Sequence, residues 1–204
     1  MRLFILGATG AIGKHLVEIA LVRGHEVTAY VRSPRKIHAG RERLTVVRGD
    51  VFDAEEMARQ MTGHDIVLSA FGPTTVRAST LRRDFGRALA VALRKSGVRR
   101  VQLVSAAFLF PDIGSFGEIL KATLFRRMIP DMAGMEAEVS QGDLDWTMVR
   151  PPRLTNGPAT NAYRVGDGNL PPGGFFISRA DVAQFMIGEA ENPAHGRQIV
   201  GLAD

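Results

Sequence analysis

Gly7-Ala8-Thr9-Gly10-Ala11-Ile12-Gly13 decides how this chain is read, because of what stands on either side of it. Before it, Leu3-Phe4-Ile5-Leu6 is an apolar run of strand length, the pattern of a strand buried on both faces. After it, Ile12, Leu16, Ile19 and Ala20 recur at helical spacing, with Lys14, His15 and Glu18 between them. A strand, a glycine turn and a helix in such quick succession form a phosphate cradle. Glycines let the backbone turn tightly and approach a pyrophosphate, whose charge then sits on the free N–H groups of the helix N-terminus. The spacing is G-x-x-G-x-x-G, without the G-x-G opening of the most familiar dinucleotide fingerprint. Gly13-Lys14 is followed by His15, not by the Ser or Thr that completes a P-loop, which disfavours a nucleoside triphosphatase. The plainer alternative is a glycine turn that only closes a strand–helix corner.

The alternation continues along the chain. Strands are expected at 2–6, 26–30, 44–48, 65–69, 99–104 and 145–149, and helices at 11–23, 34–38, 54–61, 77–96 and 116–141. This rhythm predicts an α/β fold: a doubly wound parallel sheet with helices on both faces, right-handed crossovers and ligands at the carboxyl ends of the strands. Past residue 150 the character changes. Pro151, Pro152, Pro158, Pro171 and Pro172 alternate with Gly157, Gly166, Gly168, Gly173 and Gly174, so no single regular element fits. Long loops in compact domains are usually functional, and 151–177 is expected to fold over the cofactor edge as a lid, a small C-terminal extension on the substrate side. Ser178 then reads as the N-cap of a helix over Arg179 to Glu191, stopped by Asn192-Pro193, and Gln198 to Gly201 as a last strand. Residues 1–204 are expected to form one domain.

Composition narrows the function classes. An apolar fraction of 45% with 23% charged residues is that of a globular chain, and the absence of Cys excludes a thiolate metal site, a disulfide scaffold and a cysteine nucleophile. No apolar stretch reaches the ~18 residues of a membrane span, and no signal-type leader is read, so a soluble cytoplasmic protein is expected. The net charge of +5 comes from 26 basic residues, of which only Lys14, Lys36, Lys95 and Lys121 are lysines. The arginines are spread along the chain without interleaved aromatics, which argues for a solvated basic surface rather than a nucleic-acid face. The same basic character on 77–96, through Arg82, Arg83, Arg87, Arg94 and Lys95, leads to the expectation of a monomer or weak dimer. No His, Asp and Glu cluster has metal-ligand spacing, so no metal site is expected.

The end of the second strand bears on which dinucleotide is bound. NAD-specific sites hold the adenosine ribose with an acid about twenty residues past the glycines. Here Glu26 starts the strand, at the wrong end, and Arg32-Ser33-Pro34-Arg35-Lys36 follows it. Cations and a hydroxyl suit a 2′-phosphate, so Arg32 and Arg35 favour NADP, NADPH over NADH; the alternative is an exposed basic turn. Asp50 and Val51, after the third strand, fit an adenine pocket, although Asp50 can equally serve as a turn residue. Ala70, Phe71 and Gly72, after the fourth, leave room for backbone to pass the ribose and pyrophosphate, with Thr74 and Thr75 beside the same cleft.

Gly7 to Gly13 with Arg32, Gly49-Asp50-Val51, Val104-Ser105-Ala106, Leu144-Asp145-Trp146-Thr147-Met148-Val149-Arg150-Pro151 and Ile177-Ser178-Arg179-Ala180-Asp181-Val182-Ala183 together resemble the atypical short-chain dehydrogenase/reductases. The nearer branch is the NAD(P)H-binding group of biliverdin-IXβ/flavin reductase and the NmrA-like proteins. The resemblance covers essentially the whole chain. It implies a Rossmann-like fold, an NADP cofactor, a serine after the fifth strand, met by Ser105, and backbone at Pro151 against the nicotinamide, with Arg153 in reach of a phosphate or a substrate carboxylate. Two departures limit it. Standard members use Tyr-x-x-x-Lys, whereas Tyr30 is followed at that spacing by Pro34 and Tyr163 by Asp167. The reductases also use a histidine, and no histidine stands between His64 and His195. Asp131, among Met128, Met132 and Met135, is the titratable residue nearest that role, unless it is a solvated helix residue.

Hydride transfer to a flavin or quinone depends mainly on orientation, with the proton available from water. The expectation is an NADPH-dependent reductase of a flat conjugated acceptor (flavin, quinone or tetrapyrrole type) with Ser105 as the orienting catalytic residue, unless Ser105 merely caps the next turn. Phe108, Phe110, Phe116, Met128, Met132, Phe175 and Phe176 are candidates for the platform beneath that acceptor or, alternatively, ordinary core. The rival expectation is an NmrA-like NADP(H)-binding redox sensor without turnover.

Overall fold

The computed structural model describes residues 1–37, 40–72, 80–123 and 125–204. Six parallel strands, β1 (Arg2–Leu6), β2 (Glu26–Val31), β3 (Leu44–Arg48), β4 (Ile66–Ser69), β5 (Arg100–Val104) and β6 (Asp145–Arg150), stand in the spatial order 3-2-1-4-5-6. That order reverses between β1 and β4, the switch point at which doubly wound sheets bind dinucleotides. A parallel β10 (Gln198–Ala203) extends the sheet beside β6, and β8 (Arg164–Asp167) closes the edge antiparallel to it.

β1 shows why the sheet carries helices on both faces. Its last four side chains are fully buried and alternate in direction. Leu3 and Ile5 enter a core with Leu16 and Ala20 of α1 (Ala11–Val22) and with Val182 and Met186 of α6 (Arg179–Glu191). Phe4 and Leu6 enter a second core with Met57 and Met61 of α2 (Ala54–Met61), Phe85 and Leu89 of α3 (Leu81–Ser96) and Met135 of α5 (Ile129–Val139). Each such side chain contributes about 1.5–3 kcal/mol by leaving water. One strand therefore anchors both helical layers, and the glycine turn leaves its end.

Three expectations are corrected. The helix expected over 34–38 is a single 3-10 turn, Pro34–Lys36. The one expected over 116–141 is two, α4 (Gly114–Thr123) and α5. Pro130 lacks the N–H a continuing helix needs but fits a first turn, so it starts α5 instead. The 151–177 segment is not all lid: besides β8 it contains β7 (Arg153–Thr155) and runs into β9 (Phe176–Ser178), and β7 and β9 pair as a two-stranded parallel ribbon. The helix expected from residue 77 is described from Leu81; residues 77–79, with Thr74 and Thr75, lie outside the described residues.

The basic face of α3 is partly tied to its neighbours. Arg82 is buried against Asp131 of α5 at 3.3 Å, Arg83 and Arg87 pair with Glu138, and Lys95 pairs with Glu55. Gly86 lets the two helices cross closely, since a Cβ there would stand 2.8 Å from the Met135 Cα. Of these charges only Arg82 is taken out of water; the others stay exposed, three of them paired at the surface with acids of neighbouring helices. No helix among the described residues is long and apolar enough to cross a membrane.

Candidate cofactor and acceptor site

The residues singled out from the sequence for the cofactor, together with Ser105, sit past the carboxyl ends of the parallel strands, or in the helix turn that follows. Gly7 to Gly13 follow β1, Arg32 and Arg35 follow β2, Asp50 and Val51 follow β3, Ala70 to Gly72 follow β4, Ser105 follows β5, and Pro151 and Arg153 follow β6. Parallel pairing aligns those ends along one edge of the sheet.

The glycine turn is built by contacts that no side chain could share. Gly7 takes φ +77°, a left-handed conformation, and a Cβ on it would stand 2.7 Å from the Ala70 carbonyl. A Cβ on Gly13 would stand 2.0 Å from the Gly7 oxygen. The turn is closed by Gly10 N–H donating to the Gly7 carbonyl at 2.8 Å. α1 then begins with Gly10 as N-cap, no side chain capping it and no acid in its first turn. Its N-terminal N–H groups and the positive end of its dipole therefore face the sheet edge without a competing carboxylate, an arrangement that fits a pyrophosphate.

Arg32 and Arg35 are exposed, and neither has an ion-pair partner among the described residues. Arg41 and Arg43, a few residues on, pair with Glu18 and Glu42. The basic turn after β2 thus keeps its charge available. Asp50 uses one carboxylate oxygen to accept from the Phe52 N–H at 3.0 Å, the turn role, and the other has no partner among the described residues. Beside Val51 stands Phe52, 41% exposed and edge-on to Phe71 at 6.2 Å, which in turn lies against Phe85. Sequence reading passed over Phe52; its signal is a large aromatic between a strand end and the helix N-cap Asp53. At Gly72 a Cβ would meet nothing within 4 Å among the described residues, so their packing does not require glycine there.

Ser105 is buried, and its Oγ has no hydrogen-bond partner among the described residues. Its backbone N–H donates to the Val149 carbonyl at 2.7 Å, and Ala107 N–H donates to the Pro151 carbonyl at 2.9 Å, so the loops after β5 and β6 run together. The capping alternative is not what is observed: the following 3-10 turn has Ala106 as N-cap and no side-chain cap bond. An unpaired buried hydroxyl costs free energy, which a ligand that accepts its proton recovers.

Arg150, which sequence reading left as part of a motif, organises this half of the edge. It is buried, donates to both oxygens of buried Glu136 at 3.0 and 2.5 Å and to the Leu109 carbonyl at 3.0 Å, and lies 4.9 Å above the Phe110 ring. Asp181, fully buried in the first turn of α6, accepts from the N–H groups of Thr160 and Asn161, from Thr160 Oγ1 and from Ser178 Oγ. Burial works to raise its pKa, yet the hydrogen bonds from Ser178, Asn161 and Thr160 outweigh it and hold the carboxyl below its ordinary value.

The platform expected for a flat acceptor is divided. Phe110, Met128 and Met132 are core residues; Phe108 stacks on Phe125 at 4.0 Å, while Phe175 and Phe176 are exposed. The Phe116 side chain lies outside the described residues. Asp131 is no solvated helix residue but a clasp, accepting from Arg83 N–H at 2.9 Å beside Arg82. Neither phenol is poised for proton transfer: Tyr30 is buried against Gly49, Tyr163 packs against Phe185, and burial raises both pKa values. His25, His64 and His195 all precede strands and so lie at the opposite edge of the sheet.

A glycine turn at the switch point of a doubly wound sheet, opening onto an uncapped helix, defines a dinucleotide-binding α/β protein. The sequence matches the model of the NAD(P)H-binding family over residues 7–193, and the chain belongs to that family. It is 30% identical to the YwnB protein of Bacillus subtilis (strain 168), across 96% of this chain and 94% of that one. Among solved structures it is 26% identical, with TM-score 0.78 over 100% and 99% of the two chains, to a candidate NADH-flavin reductase of Streptococcus pneumoniae TIGR4. A short-chain dehydrogenase/reductase of Veillonella parvula DSM 2008, solved in complex with NADP, shares the fold at TM-score 0.84 and 20% identity over 100% and 94%.

Proposed function

We propose that the protein is an NADPH-dependent oxidoreductase that transfers hydride to a flat conjugated acceptor of flavin, quinone or tetrapyrrole type. The observation that carries this reading is the Ser105 hydroxyl, buried and unpartnered on the same sheet edge as the glycine turn. NADPH, when bound, supplies the hydride. Gly7, Ala8, Thr9, Gly10, Ala11, Ile12 and Gly13 hold the pyrophosphate, and Arg32 with Arg35 takes the 2′-phosphate, which selects NADPH over NADH. The free oxygen of Asp50, with Val51 and Phe52, receives the adenine, while Ala70, Phe71 and Gly72 pass beside the ribose. Ser105 donates its hydrogen bond to the acceptor or to the nicotinamide carboxamide, fixing the approach of the reacting atoms, and Pro151 lines the nicotinamide. The residues between 151 and 177 border the acceptor, and water supplies the proton.

The test is loss of NADPH absorbance with purified protein and a panel of FMN, riboflavin and quinones. Saturable turnover that Ser105→Ala lowers by roughly 10²-fold, with NADPH affinity little changed, supports the reductase. One set of observations favours a second reading, a redox sensor that binds NADP(H) without turnover: Asp131 is clamped, and both tyrosines are packed away. Tight NADPH binding with no turnover on any acceptor selects it.

A further inference from the structure

We infer that the acceptor carries an oxyanion, a phosphate or carboxylate, on its flat ring system, and that Arg153 and Phe176 recognise it together. The inference rests on the acceptor site proposed above and adds its chemical selectivity. β7 and β9 pair in parallel with Arg153 opposite Phe176 and Leu154 opposite Ile177. Successive side chains of a strand point to opposite faces. Ile177 is fully buried with Leu154 packed into the same core, so this pair fixes the inner face and leaves Arg153 and Phe176 on the outer one. There the guanidinium carbon lies 5.5 Å from the Phe176 ring centroid. Phe175 and Phe176 remain 60% and 46% exposed, two adjacent large aromatics left in water where the fold buries Phe4, Phe85 and Phe110.

The neighbouring arginines are engaged. Arg150 is bound to Glu136 and Leu109, Arg164 donates to the carbonyls of Pro172 and Asp204, and Arg179 donates to Asn156. Arg153 has no side-chain hydrogen bond or ion pair among the described residues. A free planar fork held over an aromatic face binds a flat ring by stacking and an oxyanion by paired N–H donors.

Position separates this anion site from the cofactor's phosphates. Along the sheet β6 stands three strands from β1 and four from β2. At ~4.8 Å per strand, the chain leaving β6 is about 14 Å from the glycine turn and about 19 Å from the basic turn after β2. It is instead tied to the Ser105 loop through Ala107 N–H and the Pro151 carbonyl, two residues before Arg153. Of the two partners the sequence leaves open for Arg153, a cofactor phosphate and a substrate carboxylate, position thereby favours the acceptor's anion.

The experiment measures binding and turnover of matched acceptors with and without an anionic group, on the NADP-loaded protein. FMN is compared with riboflavin, and naphthoquinone sulfonate with naphthoquinone. The expected result is that Arg153→Gln weakens the anionic member of each pair by roughly tenfold more than the neutral member, leaves NADPH affinity unchanged, and that Arg153→Lys recovers part of the anion-specific loss. Phe176→Leu should weaken both members equally. Because both side chains are exposed, unchanged thermal melting checks the fold. The inference is overturned if neither anionic acceptor is preferred, if the preference survives in Arg153→Gln, or if the variant loses NADPH instead. Turnover of anionic and neutral acceptors alike, indifferent to Arg153, would sink the inference and keep the reductase. Charge-selective binding without any turnover would do the reverse.

Discussion

The two halves of the sheet edge are built by opposite means. Around β1, β2 and β4 the site is shaped by what is missing: no Cβ at Gly7 or Gly13, no side-chain cap on α1, and, among the described residues, no ion-pair partner for Arg32 or Arg35. Around β5, β6 and the ribbon it is shaped by buried polar side chains that reach across the fold. Arg150 holds Glu136 and the turn after Ser105, Arg82 holds Asp131, and Asp181 holds Thr160 and Asn161. A cradle made of backbone suits a ligand with fixed geometry such as a pyrophosphate. Loops held by side-chain clamps can change their contents while the clamps persist, which suits the half proposed to select an acceptor.

The sharpest way to break this contrast is at Arg150. Glu136→Ala leaves a buried guanidinium without its carboxylate and should cost about 3–5 kcal/mol, read from chemical denaturation. Replacing both partners by methionine should recover much of that loss, because no charge is then buried. If the single variant costs less than about 1 kcal/mol, the clamp is incidental and the two halves are alike.

Those two means also explain what was legible. Gly7 to Gly13 reads from sequence because its closing hydrogen bond and the approach of Gly13 to Gly7 lie within a strand, a turn and a helix of one another. So does the succession of strands and helices, from the alternation of apolar runs. The clamps join residues far apart: Arg82 to Asp131 spans 49 positions and Asp181 to Thr160 spans 21. Nothing local marks Asp131 as buried, or the charges of α3 as bound, since pairing partners and burial are properties of the packed helices. Pro130 was the local signal that the long helix divides, and the run of apolar residues around it concealed the break. The ribbon was hidden for a similar reason: its strands are three residues each, too short for a periodicity.

On the cradle side, Gly13→Ala drives a Cβ into the Gly7 carbonyl, backbone against backbone. An expected stability loss of about 1–3 kcal/mol should accompany loss of NADPH binding, measured by fluorescence titration. If binding survives, the turn is a corner and not a cradle. The acceptor side offers the matching test at Asp181. Asp181→Asn keeps the volume but exchanges a carboxylate oxygen for a donor facing donors, for an expected loss of about 1–3 kcal/mol at neutral pH. Because the folded carboxyl lies below its ordinary value, its stabilisation is present above about pH 4 and is lost as pH falls through the lower folded value. The gap between wild type and variant should therefore close under acid; a constant gap would show that the charge is not what holds the loop.

The smallest expected effect is the most specific. Arg32→Gln removes one of two free guanidinium groups at the end of β2 while leaving the glycine turn untouched. NADPH affinity should fall roughly tenfold, about 1.4 kcal/mol, while NADH affinity holds, because only the former presents a 2′-phosphate. Arg35→Gln should repeat the effect more weakly, since Arg35 stands on the 3-10 turn rather than directly at the strand end. Arg32→Asp reverses the charge and should widen the difference further. Equal losses for both cofactors would move Arg32 from selecting the phosphate to general attraction. The cradle half would then bind by backbone geometry alone, which would make the contrast with the clamped half sharper still.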